Sequence, residues 1–222
     1  MQTIDSLEDH KIFRWWLSIS LLCFIVVAAS CRPNPEKRLK IGTNIWPGYE
    51  ILYLARDLGY LDGLPVDLVE MTSASEVINA MRNGTINGAG LTLDETITLL
   101  DEGVPLKVIL LLDASFGADA LLAKPTFQDI EQLRGKRIAI ENTAVGAILL
   151  NNALESAGMN LNDITIVPCT ADRHPVCFDD VDAVVTFEPS LSKIRKKGAI
   201  ELFSSKDIPG TILDILVVSE DV

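Results

Sequence analysis

The sequence predicts an α/β protein with parallel strands, and two observations carry that prediction. From Leu39 onward, short β-rich runs alternate with helical runs, the pattern that crossover-connected sheets require. The chain is 48% hydrophobic, 23% charged and 6% aromatic, ordinary proportions for a packed domain, with no internal repeat or low-complexity tract.

The elements follow in order. Leu39 to Thr43 reads as the first strand, and it runs into the aromatic loop Asn44-Ile45-Trp46-Pro47-Gly48-Tyr49. Pro47 and Gly48 force a turn there, leaving Trp46 and Tyr49 to present flat faces to a small molecule. The helix Glu50 to Leu58 then points its unsatisfied N–H groups into the same space. After the strand Val66 to Met71, Ser73 or Ser75 caps a helix from Ala74 to Asn83, which presents Val77, Ile78 and Met81 at helical spacing and is ended by Gly84. A strand Gly88 to Leu91 precedes the helix Asp94 to Glu102. Leu106 to Leu112 and Ala120 to Ala123 read as strands, Ile130 to Leu133 as a short helix, and Arg137 to Ile140 as a strand. Asn142 or Thr143 caps the helix Ala144 to Ala157, which carries Ile148, Leu149, Leu150 and Leu154. That cap lies at a strand's carboxyl end, where open α/β sheets bind ligands. Strands Ile164 to Val167 and Ala183 to Thr186, the helix Ser190 to Lys197 and the strand Ile212 to Val218 complete the reading.

Ahead of this body, Lys11 and Arg14 precede an apolar run from Trp15 to Ala29, and Ala28-Ala29-Ser30-Cys31 follows. The run is too short and too abruptly ended for a membrane-spanning helix. A cysteine directly after small residues is the lipoprotein pattern, with Cys31 as the lipid-bearing N-terminus after cleavage. Ala28 stands where that pattern prefers leucine, and Asp5, Glu8 and Asp9 make the leader acidic. An uncleaved anchor or a plain secretory signal would equally place the body outside the cytoplasmic membrane. The polar, proline-bearing run Arg32 to Arg38 reads as a tether.

The net charge of −12 excludes nucleic acid as a partner, because phosphate binding needs clustered cations. Lys193, Arg195, Lys196 and Lys197 form a short basic run that reads as a solvated helix end, favoured by the helix dipole.

The Trp46-Pro47-Gly48-Tyr49-Glu50 loop with Leu54-Ala55-Arg56-Asp57-Leu58-Gly59-Tyr60 resembles the first strand and ligand loop of periplasmic substrate-binding proteins of the nitrate, sulfonate, taurine and thiamine-precursor group, which serve ABC importers. The likeness runs from Leu39 to the end, with matching blocks at Trp46 to Asp62, Thr186 to Pro189 and Phe203 to Val218. It implies a two-lobed type II periplasmic-binding-protein fold. Residues 1–31 are then signal peptide and lipobox, 32–38 tether, 39–117 lobe 1, 118–122 a hinge crossing, 123–211 lobe 2, and 212–222 the return crossing and a truncated end. Relatives continue past the second crossing, so the C-terminal part of the first lobe is expected to be missing and apolar surface to be exposed there. In an oxidising periplasm Cys169 and Cys177 are expected to pair, a reading preferred over metal ligation with His174.

The resemblance points to Trp46, Tyr49, Thr92, Asp94, Asp119, Asn142, Thr143 and Glu188 as ligand-binding residues. Structural uses stay open for several: Tyr49 as core, Thr92 or Asp94 as an N-cap, Asp119 as a solvated charge near the Phe116-Gly117 hinge, Asn142 and Thr143 as caps, Glu188 as part of a capped turn. If Asp94, Asp119 and Glu188 share one cleft, their charge disfavours a bare anion and favours a zwitterion, an amine or a nitrogen heterocycle. The implied function is capture of a small organic nitrogen- or sulfur-containing solute by a lipid-anchored monomer, on the periplasmic side of a membrane, for delivery to ABC permease subunits. No catalytic residue, cofactor or metal is assigned. A sensing lipoprotein is one alternative. An enzyme related to thiamine-pyrimidine synthases is another, opposed by the presence of only His10 and His174 and by the lack of a cysteine-rich run or a Ser-His-Asp set.

Overall fold

Two five-stranded sheets form the two lobes of the computed structural model, which describes residues 38–222. The signal, the Cys31 lipobox and the tether up to residue 37 lie outside the described residues. The first lobe holds β1 (Leu39–Asn44), α1 (Glu50–Asp57), β2 (Val66–Met71), α2 (Ala74–Arg82), β3 (Gly88–Thr92), α3 (Leu93–Asp101) and β4 (Leu106–Ala114). The second holds β5 (Asp119–Ala123), β6 (Arg137–Ile140), α4 (Ala144–Ser156), β7 (Thr165–Pro168), the short α5 (His174–Cys177), β8 (Ala183–Phe187), α6 (Ser190–Arg195) and β9 (Ile200–Ser204). The chain then returns to the first lobe as β10 (Leu213–Ser219). Ile130–Leu133 is a 3₁₀ turn.

Strand order is β2-β1-β3-β10-β4 in one sheet and β7-β6-β8-β5-β9 in the other. The expectation of parallel sheets needs correction: β1 runs parallel to β2 and β3, and β6 to β7 and β8, but β10 and β5 are antiparallel to both their neighbours. The reason is connectivity. Those two strands enter straight from the other lobe, and a strand without a crossover helix can run in the opposite sense.

The passages between lobes are also shorter than expected. Residues 119–122, assigned to the first crossing, are part of the central strand β5, and most of 212–218 belongs to β10, so the lobes are joined by 115–118 and 205–212. The two passages are bonded side by side. The Ser115 and Ser205 hydroxyls are 2.9 Å apart, the Gly117 N–H donates to Ser205 Oγ at 2.6 Å, and the Ser115 N–H donates to the Ile212 carbonyl at 3.0 Å. Gly117 takes φ +88°, a conformation L side chains rarely adopt.

Side chains alternate across each sheet, so Leu121 and Leu122 of β5 face opposite cores. Leu121 joins Ile138, Leu149, Leu150, Leu154 and Phe203 under α4, and Leu122 joins Val184, Leu191, Ile194 and Phe178 under α6. In the first lobe, Val77, Met81, Leu91, Leu99, Ile215 and Val217 form one cluster under α2 and α3. Helix α1 buries none of its eight residues. Ile51, Leu54 and Leu58 on or beside it, and Val108, Ile109, Leu110 and Leu111 on the edge strand β4, are exposed by 50–62%. Among the described residues, no helix is long and apolar enough to cross a membrane.

Cys169 and Cys177 are joined in a disulfide that ties the end of β7 to α5. Buried His174 lies between them in sequence and is fully occupied. The Cys169 carbonyl can only accept, so Nε2 carries the proton (3.0 Å), and Nδ1 accepts from the Thr186 hydroxyl (3.0 Å). Burial pushes its pKa down to about 4. Cys177→Ser is expected to cost about 2–3 kcal/mol through the loop entropy returned to the unfolded chain. A fall in urea midpoint, reproduced in the wild type by reductant, would confirm it; an unchanged midpoint would refute it.

Candidate functional site

The strand-to-helix junctions of the two lobes face one another across a cavity. Trp46, Tyr49, Thr92 and Glu95 come from the first lobe, and Asp119, Val145 and Phe187 from the second. Each side chain has a local reason to be there.

Trp46 directly follows the β1-to-α1 bend and precedes the Pro47–Tyr49 3₁₀ turn. Its indole N–H donates to Asp113 Oδ2 at 3.2 Å, and its ring meets Phe187 edge-on with centroids 5.8 Å apart. That contact joins the lobes. Gly48 is needed beside it, since a Cβ there would fall 1.6 Å from Asp113 Oδ2 and 2.5 Å from the indole nitrogen.

Tyr49 is buried, and its hydroxyl donates to Asp214 Oδ1 at 2.7 Å. Its ring lies against Gly90 of β3, where a Cβ would come within 3.0 Å of two ring carbons. Burial, then the neighbouring Asp214, raises its phenol well above the usual range.

Thr92 is the N-cap of α3, and its backbone N–H donates to Glu95 Oε2 at 3.1 Å. Glu95 is thereby folded back into the cavity wall. Burial pushes its carboxyl up to about 7, that of Asp119 up to about 6, and that of Asp214 up to about 9. In each case nearby acids add to the effect.

An adjoining cavity shares Asp119, Val145 and Phe187 and is also lined by Glu141 and Thr143. Glu141 Oε1 accepts from both the Ser75 N–H (3.0 Å) and the Ser75 hydroxyl (2.7 Å), while Oε2 accepts from the Ala171 N–H (3.2 Å). The carboxylate at the end of β6 therefore satisfies an N-terminal donor of α2 in the other lobe.

Of the residues singled out in the sequence, Trp46, Tyr49, Thr92 and Asp119 line the main cavity and Thr143 the adjoining one. Asp94 is outside both linings, and burial raises its carboxyl pKa. Asn142 is exposed and outside both linings. Thr143 is the N-cap of α4 but makes no side-chain cap bond. Glu188 is committed to its own helix, with Oε2 accepting from the Ser192 N–H (3.1 Å) and Oε1 from its hydroxyl (2.7 Å); the preceding Phe187 takes the cavity position. Glu95 stands with Thr92 and Asp94 in the sequence as a carboxylate able to meet a ligand, whereas Asp214 and Glu141 carry no sequence reading. The available signals for those two are a lone acid in the apolar run Ile212 to Val218 and an acid closing an apolar strand.

A family model described as NMT1/THI5 like matches residues 46–221. The taurine-binding periplasmic protein of Escherichia coli is 25% identical over 164 residues, covering 72% of this chain and 51% of the relative. A binding protein of Brucella abortus is 24% identical over 200 residues, covering 87% and 61%. The chain thus spans 51–61% of the length of these curated relatives. Among solved structures, the aliphatic sulphonate binding protein of Escherichia coli aligns with a TM-score of 0.69 at 19% identity, covering 83% of this chain and 62% of that one. The alkanesulfonate-binding protein of Xanthomonas axonopodis pv. citri, bound to MOPS, aligns at 0.71 and 19% identity, covering 83% and 66%. These structural likenesses establish the two-lobed periplasmic-binding-protein fold.

Proposed function

The chain belongs to the NMT1/THI5-like family, and on that premise we propose that it is an extracytoplasmic solute-binding protein that hands a small organic nitrogen- or sulfur-containing solute to an ABC importer. The observation that carries the reading is the cavity itself, walled by side chains of both lobes beside two short hydrogen-bonded passages. A solute seated there touches both lobes, so its binding energy favours the arrangement in which they meet. The names of the relatives, which concern taurine and sulfonates, support this class of solute. Lipid attachment at Cys31 would hold the body at the membrane surface, within reach of a permease.

A thermal-shift screen of taurine, alkanesulfonates, nitrate, polyamines, pyrimidines and flavins tests the reading. At a hundredfold excess over Kd, a ligand stabilises by about 2.7 kcal/mol, a clear rise in Tm. Trp46→Ala is expected to weaken the same ligand about tenfold or more. No shift with any compound, or conversion of a compound to product, would overturn the proposal.

A further inference from the structure

The acids of the main cavity are unequally occupied. Its lining includes Glu95, Asp119 and Asp214 but no lysine, arginine or histidine. Asp214 is held by the Tyr49 hydroxyl. Glu95 uses Oε2 on the Thr92 N–H, but Glu95 Oε1 and Asp119 Oδ2 are buried without a hydrogen-bond partner, on side chains only 3% and 6% exposed. Such atoms are costly to leave unpaired, so they mark places where a missing donor belongs.

We propose that Glu95 and Asp119 together receive a protonated nitrogen of the solute, an ammonium or amidinium group. This rests on the solute-capture reading above and adds the chemistry of the captured group. Both residues line the same cavity, and a cation held there supplies the donor that their free oxygens lack. It also meets a field of one sign, because the charged neighbours acting on the pair are acids: Asp94 on α3, Asp113 on β4 and Glu141 after β6, with protonated Asp214 on β10 and the neutral Tyr49 phenol beside them. Desolvation leaves these carboxyls partly protonated near neutral pH. An arriving cation favours their ionised form, so capture releases protons and tightens as pH rises.

Calorimetric titration with matched probes at pH 6 and pH 8 tests the proposal. Taurine and isethionate differ only in an ammonium in place of a hydroxyl; propylamine and propanesulfonate separate a bare cation from a bare anion. The expected result is that nitrogen-bearing probes bind about tenfold to a hundredfold tighter than their partners. Taurine over propylamine assigns a zwitterion, and the reverse a simple amine. Binding should be tighter at pH 8, with a heat that depends on the buffer's ionisation enthalpy. Glu95→Gln and Asp119→Asn should remove the preference while raising the Tm of the empty protein at pH 8, since each deletes a buried charge and keeps the shape. If isethionate or propanesulfonate binds as tightly as its partner, or the variants lower Tm and keep the preference, the inference falls and solute capture stands. If no probe binds here and none in the wider screen, both fall.

Discussion

Asp214→Asn is expected to stabilise the empty protein by about 2–4 kcal/mol at pH 7 to 8, and to change it little at pH 4. The residue lies in β10 with Thr92 on one side and Asp113 on the other, is only 3% exposed, and accepts the Tyr49 hydroxyl. Burial, reinforced by Asp113 and Asp119, pushes its pKa up to about 9 against a usual 3.8. The unfolded chain therefore releases this proton above about pH 4, whereas the native chain holds it until about pH 9. Stability from this group is complete below pH 4 and declines as pH rises toward 9. Each pH step in that window costs about 1.4 kcal/mol at most. Asparagine keeps an acceptor for Tyr49 and a donor toward Asp113 but has no proton to lose, so it escapes the decline. In a chain of this size the gain reads as roughly 5–10 °C in Tm at pH 8. A variant Tm at or below the wild type at pH 8 would contradict it.

The sequence revealed periodic and capped elements more readily than their arrangement. The Ala144 to Ala157 run showed itself by its apolar content, and its observed helix ends one residue earlier, at Ser156. Ser73, one of the two cap candidates for α2, does accept from the Glu76 N–H (3.3 Å), whereas Ser75 turns to Glu141 in the other lobe. Local pattern cannot distinguish those two uses, because the second depends on a residue 66 positions away. Strand β9, Ile-Glu-Leu-Phe-Ser, was missed although its Phe203 is buried, since five residues give little periodicity to read. Strand direction was illegible for a related reason: β5 and β10 owe theirs to passages between lobes, not to their composition.

The cavity was legible through its aromatic loop and less so through its acids. Trp46 and Tyr49 stood beside a Pro-Gly turn that has few other uses. Glu95 and Asp214 looked like a helix cap and a strand residue, and they are both. Their second role arises only when β3, β10 and the 115–118 passage bring three carboxyl groups to one cavity.

Glu141→Ala is expected to cost about 2–4 kcal/mol and to weaken solute binding by roughly one to two orders of magnitude. The carboxylate accepts two hydrogen bonds from Ser75 across the lobes and one from Ala171 within its own lobe. Alanine leaves the Ser75 N–H, near the positive end of the α2 dipole, without its acceptor. That donor regains water if the lobes separate, so the arrangement with the lobes in contact loses stability relative to one with them apart. Apparent affinity then falls with the fraction still closed, even if no solute contact has changed. Glu141→Gln keeps one oxygen for Ser75 but offers an amide to Ala171, so it should lie between wild type and alanine. X-ray scattering should show a larger radius of gyration for the empty alanine variant, returning to the wild-type value at saturating ligand. An unchanged radius with an unchanged Kd would show that the Ser75–Glu141 contact does not hold the lobes together, and that closure rests on the Trp46–Phe187 contact and the solute.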